Sequence, residues 1–493
     1  MSSQKTRSPN LDRDIIDKLM AQDKKVAFIV ISRGFIVRNI LRSGVLDGLV
    51  KRGFKVILFF LNGDFENEKR ALSAEFNSND VTVEFLPPES DFNFGPVKNA
   101  LYRLFKATAP YLVYSDTTWM YSRIGNERKL NRSIVWAYLE RFLYRILSRI
   151  KFLKDLARFI EMRFFYKPIY AEYFRKYSPS VVFSTSIISK QDIQFLKEAR
   201  QFKVPSVSMP KGWDNISKLL YRATPDHLIV QNEIMKADAM RLQHIPDSRI
   251  SVCGFPQFDW YRKPELIWSR EKLLSRIGLS TDRRLIFFGS EGAWAPTDDS
   301  VATNIINLMK EPGALVKPCS LLIRPHFSDV HNTRFEKFKN IPNVRLDDNF
   351  TLSYLFGDNW NPSHEETELF INCLYHADMM ITVASTLVLD AAAYDKPSIG
   401  VAYEVLYSPT TGKDISEQLY ETDHFRAVVQ TGAIDLVRSN EELKKAINQI
   451  LLNPDRNHTE RQRLIREICF KIDGQSSERI ATVIDRVAKT HRK

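Results

Sequence analysis

The chain has 493 residues, 44% hydrophobic and 26% charged, with a formal net charge of +12. That length supports two or three domains with proper cores, and the even composition excludes a disordered, repetitive or collagen-like chain. A polar N-terminus (MSSQKTRSPNLDRDIIDKLMAQDKK), no apolar run long enough to span a bilayer, and four scattered cysteines without C-x-x-C exclude a secretory leader, a membrane span, a disulfide frame and a zinc knuckle, so a cytoplasmic protein is expected.

Short apolar, β-branched runs alternate with helical patterns along the whole chain. In the first half they are KVAFIVIS, FKVILFF, VTVEFL, SVVFST, VPSVSM, DHLIVQ and RISVCG. In the second half they are RLIFFGS, SLLIRP, NVRL, DMMITV, PSIGVA and FRAVVQ. Runs that are continuous, not alternating, are what strands buried on both faces of a parallel sheet require. There are about twice as many as one sheet needs, and YRKPELIWSREKLLSRIG, residues 261–278, reads as the passage between two sheets. The pattern predicts an α/β protein with two doubly wound Rossmann-type domains whose strand carboxyl ends face a shared cleft.

The candidate chemistry falls where these strands end. ISRGFIVRNILRSG supplies Arg33 and Gly34 after the first strand, and VYSDTTW supplies Asp116. The alternation then lapses over residues 121–178, which hold 14 Lys and Arg against 5 Asp and Glu. There Trp136, Leu139, Leu143, Ile146, Ile150, Leu153, Ala157 and Ile160 recur at spacings of three and four, beside a basic row of Arg141, Arg145 and Arg149. This is one long helical pattern, either an insertion packed on the first domain or a basic amphipathic surface for anionic lipid. VSMPKGWDNISK gathers Lys211, Trp213, Asp214 and Asn215, and FFGSEGAW gathers Ser290, Glu291 and Gly292 in a loop of small residues. LLIRPHF ends a strand in Arg324, with forked donors for phosphate, and His326, which can donate or shuttle a proton. In ADMMITVASTLVLDAAAYDKPSIGV, Ser385 and Thr386 stand between a strand and a helix. They are either a helix N-cap or part of an anion site.

RISVCGFPQFD, LLIRPHF, ADMMITVASTLVLDAAAYDKPSIGV and DGQSSERIATVI resemble the recurring pieces of GT-B glycosyltransferases, over roughly residues 180–485. Within that group the chain resembles bacterial surface-polysaccharide enzymes and the related CDP-glycerol glycerophosphotransferases. The resemblance implies residues 1–265 as an acceptor-side domain with a helical insertion at about 121–178. It implies residues 266–470 as the nucleotide-donor domain, and 471–493 as a helix packing back on the first. It sets Arg324, His326, Ser385 and Thr386 around the donor's phosphates; Phe327 departs from the usual Pro after the His. The implied activity is transfer of a sugar from a nucleotide-activated donor to a surface-glycan or lipid-linked acceptor. No D-x-D occurs at a plausible site, and no H-E-x-x-H, so no metal or other cofactor is expected. Departing phosphate charge would then meet Arg, hydroxyls and helix N–H groups. An inverting route needs a base, for which Asp116 and Asp214 are candidates, though each also fits a turn or cap. The alternatives on the same frame are a CDP-glycerol-type glycerophosphotransferase and a UDP-sugar 2-epimerase. A basic nucleic-acid binder is a different class, disfavoured because the basic residues lie on a helix rich in large apolar groups. The expected location is cytoplasmic, peripheral on the inner face of the cell membrane.

Overall fold

The structure is a computed structural model that describes residues 24–87, 92–120, 134–329, 333–348, 350–409 and 411–490, with the backbone alone for 134–137. The first seven strands are β1 Lys25–Ile31, β2 Phe54–Phe60, β3 Val81–Phe85, β4 Val181–Ser184, β5 Ser206–Ser208, β6 His227–Val230 and β7 Ile250–Val252. They form one parallel sheet in the order β3-β2-β1-β4-β5-β6-β7. The next six are β8 Arg284–Gly289, β9 Cys319–Arg324, β10 Val344–Leu346, β11 Met379–Thr382, β12 Ser398–Val401 and β13 Ile434–Val437. Their parallel sheet runs β10-β9-β8-β11-β12-β13. Both orders reverse direction beside the first strand of the sheet, at β1/β4 and β8/β11. A doubly wound sheet opens a ligand crevice at such a reversal.

The helices used below are α1 Val45–Lys51, α2 Pro96–Thr108, α3 Ile134–Leu147, α4 Lys151–Arg163, α5 Lys190–Gln201 and α6 Glu233–Gln243. They continue as α7 His364–His376, α8 Leu387–Ala393, α9 Asp423–Gln430 and α10 Ser476–Thr490. β1 explains why the centre of a parallel sheet must be apolar throughout. It pairs with β2 from Lys25↔Phe54 to Ile31↔Phe60 and with β4 from Ala27↔Val181, so Ala27 to Ile31 have no solvent-facing side. Phe28 and Phe59 pack under Phe195 of α5, while Ile29, Leu58 and Phe183 pack under Ile480 and Ile484 of α10. The chain's last helix thus closes the first sheet. Gly48 of α1 is needed there, since a Cβ would lie 2.9 Å from that of Ala481. Asp259 holds the start of α10, accepting the N–H groups of Ser476 and Ser477 at 3.0 and 2.7 Å.

Two sequence expectations are corrected. FRAVVQ is not a strand but lies in α9, with Phe425 and Val428 buried three residues apart and Arg426 exposed; the edge strand is Ile434–Val437 instead. The long helical pattern is two helices, α3 and α4. Ser148 turns its hydroxyl onto the Arg145 carbonyl at 3.2 Å, and Ile150 is extended at φ −87°, ψ 100°. Residues 121–133 of that segment, and the side chain of Trp136, lie outside the described residues.

Candidate active site

A cleft of about 340 Å³ opens between the carboxyl ends of the two sheets. The first sheet contributes Phe35, Ile36 and Arg38 to Ile40 after β1, residues 209–214 after β5 and 255–257 after β7. The second contributes Ser290 and Glu291 after β8, Arg324 to Phe327 after β9, Ala384 to Leu387 after β11, Asp390 of α8, and His424 with Phe425 of α9. Of the residues anticipated from sequence, Lys211, Trp213, Asp214, Ser290, Glu291, Arg324, His326, Ser385 and Thr386 meet here.

Five do not line the cleft. Asp116 pairs with Arg426 at 2.8 Å, its side chain 43% exposed, at a separate joint between the two domains. Gly34 packs against the second domain: a Cβ would come 1.6 Å from the Trp360 carbonyl oxygen, and its N–H donates to Asp358 at 2.9 Å. Arg33 lies against Gly357, where a Cβ would come 2.6 Å from its guanidinium. Asn215 shapes its own loop, accepting the Gly212 N–H at 3.2 Å and donating to Asp214 at 2.9 Å. Gly292, at φ +62°, lets the His326 turn approach; a Cβ would meet Ser328 Oγ at 2.6 Å and His326 Nδ1 at 2.9 Å.

Within the cleft, two expected ligand groups already have partners. Arg324 is buried between the carboxylates of Asp347 and Glu366 and the rings of Phe350 and Phe370. Burial opposes its charge, but the two carboxylates more than restore it. The Ser290 hydroxyl donates towards Asp298 at 3.2 Å and accepts from Arg334 at 2.9 Å. The Ser-Thr pair is not a conventional cap either. Thr386 is the residue before α8 and its hydroxyl makes no capping bond; instead it accepts Trp213 Nε1–H at 3.2 Å across the cleft. The Ser385 hydroxyl lies 3.5 Å from the Leu387 N–H and bonds Glu291.

The cations without a carboxylate partner are Arg38 and Lys211. Neither makes an ion pair among the described residues, and burial lowers both pKa values. Arg38 lies over the Trp360 ring at 5.5 Å, within a wide π-type turn at Val37–Leu41. Around these cations stand groups that are neutral near pH 7. Burial holds His326 and His424 down at about 4 and raises Glu291 to about 8. His326 Nδ1 accepts the Ser328 N–H at 3.2 Å, leaving the ring proton on Nε2. His424 stands edge-on to Trp213, centroids 4.9 Å apart, and its buried Nδ1 has no hydrogen-bond partner among the described residues. Burial pushes the Asp214 carboxyl up, but Lys218 and His424 outweigh it and hold the pKa below the usual range. Asp390 accepts the Tyr261 hydroxyl at 2.5 Å and is raised to about 6 by burial.

Sequence reading missed Arg38, Trp360, Asp390 and His424. Reading FRAVVQ as a strand hid that His424 opens a helix aimed at the cleft. Arg38 reaches inward because of the π-type turn, which no residue pattern announces. The departure at Phe327 also has an explanation, since its ring stacks on Trp360 at 4.8 Å.

Two parallel doubly wound sheets facing one polar cleft define a GT-B-type fold, the frame of transferases and epimerases that handle nucleotide-activated donors. The chain belongs to the CDP-glycerol:poly(glycerophosphate) glycerophosphotransferase family, which it matches over residues 207–486. Solved structures agree on the frame. The UDP-GlcNAc 2-epimerase of Methanocaldococcus jannaschii is similar with a TM-score of 0.51 and 14% identity, over 94% of this chain and 99% of that one. The Neisseria meningitidis enzyme bound to UDP-GlcNAc gives 0.52 and 12%, over 94% and 100%. The wall teichoic acid polymerase TagF gives 0.50 and 13%, over 98% and 97%. At such identities the likeness carries the fold alone. Among curated proteins, none matches the chain by sequence.

Proposed function

We propose that the chain transfers a phospho-linked group from a cytidine-nucleotide donor to a hydroxyl of a surface-polymer or lipid-linked acceptor. The observation that carries this reading is the family match, whose span of residues 207–486 contains every cleft residue named above except those of the turn after β1, Arg38 among them. Arg38, Lys211 and His326 Nε2–H meet the donor's phosphates. The acceptor hydroxyl oxygen attacks phosphorus, His424 Nδ1 takes the hydroxyl proton, and the bond to the nucleoside monophosphate breaks. Ionised Asp214 stabilises the imidazolium that forms, and protonated Glu291 can return a proton to the departing phosphate. No metal takes part in this scheme, so a chelator should leave turnover unchanged. Incubating the protein with CDP-glycerol and a glycerophosphate oligomer tests it. Release of CMP with lengthening of the oligomer supports the reading, and no CMP under any acceptor condition contradicts it.

The second reading keeps the same cleft for a nucleotide-sugar, in transfer or in 2-epimerisation. It is favoured by one observation: Asp214, Glu291 and Asp390 share the cavity with two imidazoles. Deuterium incorporation into UDP-GlcNAc in heavy water, without acceptor, would identify an epimerase.

We also propose that the acceptor is met at an anionic membrane surface. No helix among the described residues is long and apolar enough to cross a membrane. Yet among the described residues 13 of the 20 exposed large hydrophobic side chains fall between Val97 and Phe164, on α2, α3 and α4 and just beyond their ends. Phe142, Phe152 and Phe159 are 66%, 69% and 64% exposed. Such a face, with basic residues nearby, suits docking on a bilayer interface. The triple change of these phenylalanines to Ser should release the protein from phosphatidylglycerol vesicles; wild type that ignores such vesicles at low salt contradicts the proposal.

A further inference from the structure

Arg141, Arg145 and Arg149 line a second cavity of about 450 Å³, together with Lys154 of α4 and Arg241 and His244 at the end of α6. Its only lining carboxylates among the described residues are Asp116 and Asp423, and both are engaged. Asp116 pairs with Arg426, and Asp423 accepts the N–H and hydroxyl of Thr117 at 2.8 and 2.9 Å. Arg141 donates to the Tyr114 hydroxyl at 2.7 Å, and Arg241 pairs with Asp238 at 2.6 Å. Arg145 and Arg149 have no side-chain hydrogen bond or ion pair among the described residues. Lys154 is only 2% exposed, yet its Nζ meets a carbonyl oxygen, that of Leu242 at 2.8 Å, and His244 Nε2 at 3.4 Å, with no carboxylate.

A buried ammonium without an anion is costly, and clustering further unpaired cations around it raises that cost. The chain tolerates this arrangement in a cavity large enough to admit a small polyanion. We propose that this cavity is a second anion site, separate from the cleft, which takes a phosphate monoester or diester between Lys154, Arg145 and Arg149. Burial holding Lys154 down to about 8 agrees with a cation that awaits its counter-charge. A phosphate held there could come from a soluble phosphorylated chain or from a lipid headgroup at the neighbouring apolar face. The proposal stands apart from the reading of the cleft, because its test is binding and not turnover.

The test is calorimetric titration of the full chain with inorganic pyrophosphate at low salt, and flotation with phosphatidylglycerol vesicles. Both compare wild type with R145Q/R149Q, two exposed positions whose change spares the fold, and with R38Q in the cleft. We expect R145Q/R149Q to lose a binding component, or to weaken it at least tenfold, while R38Q retains it. Pyrophosphate binding lost in this way identifies a soluble phosphate as sufficient. Vesicle binding alone, lost in R145Q/R149Q but kept in R38Q, identifies a lipid headgroup. If R145Q/R149Q matches wild type in both assays, or R38Q removes all binding, the second site does not exist.

Discussion

The cleft and the basic cavity both gather charge, but they settle it in opposite ways. Of the three cations that line the cleft, Arg324 is matched by Asp347 and Glu366, and just outside it Arg334 is matched by Asp298 and Asp329 and Lys218 by Asp214. What remains is two unpaired cations beside imidazoles and a carboxyl that are neutral near pH 7. In the cavity, Lys154 has a backbone carbonyl and an imidazole as partners, and Arg145 and Arg149 have none among the described residues. The first arrangement suits a reaction, in which charge must move and protons must have neutral groups to come from and go to. The second suits holding, since a fixed excess of positive charge favours an anion without offering a proton path.

If that contrast is right, the largest loss comes from the cleft's unpartnered imidazole. His424→Gln should lower kcat by roughly 10² to 10⁴ while leaving the nucleotide Kd within about twofold; a variant with near-normal turnover removes His424 as the base. Next, Arg38→Gln should weaken nucleotide binding by about tenfold to a hundredfold, since a charged hydrogen bond is worth roughly 1.5–3 kcal/mol. Equal affinity in the folded variant would transfer that role to Lys211. A smaller effect concerns pH. Glu291 has a folded pKa of about 8 against an ordinary value of 4.5, so the folded state holds a proton that the unfolded state has released. Its contribution to stability is therefore complete below 4.5 and is lost as pH rises through about 8. Glu291→Gln should flatten the fall of Tm between pH 5 and 8, and an unchanged slope would show that the carboxyl is ionised there. The smallest effect belongs to Asp116→Asn. An exposed ion pair contributes about 0–1 kcal/mol, and turnover should stay within about twofold; a loss of the size expected for His424 would return Asp116 to catalysis.

Much of the frame was legible because parallel strands advertise themselves. Twelve of the thirteen apolar runs correspond to strands, since a strand buried on both faces tolerates little else. The exception, FRAVVQ, is short enough that one buried helical stripe and one strand look alike, and only its partners decide. Loop residues were harder, because side-chain type announces chemistry but not direction. Lys211, Asp214, Glu291 and His326 do face the cleft. Arg324 also lines it, yet Asp347 and Glu366, 23 and 42 residues further on, had already claimed its charge. Gly34 and Gly292, both candidate site residues in the sequence, are instead positions where Trp360 and Ser328 come too close for a Cβ. The Arg141, Arg145 and Arg149 row was visible as a stripe, but not the break at Ile150 that folds α3 and α4 around a cavity.

The cleft is proposed to hold a nucleotide-activated donor through Arg38 and Lys211. Calorimetry with CMP, CDP, UDP and GDP, on wild type and on R38Q with Lys211→Met, tests it most directly. Wild type should bind at least one cytidine nucleotide saturably at one site, in preference to UDP and GDP. The double variant, folded and with an unchanged Tm, should lose that binding by a hundredfold or more. Nucleotide binding that survives both substitutions at wild-type affinity would contradict it.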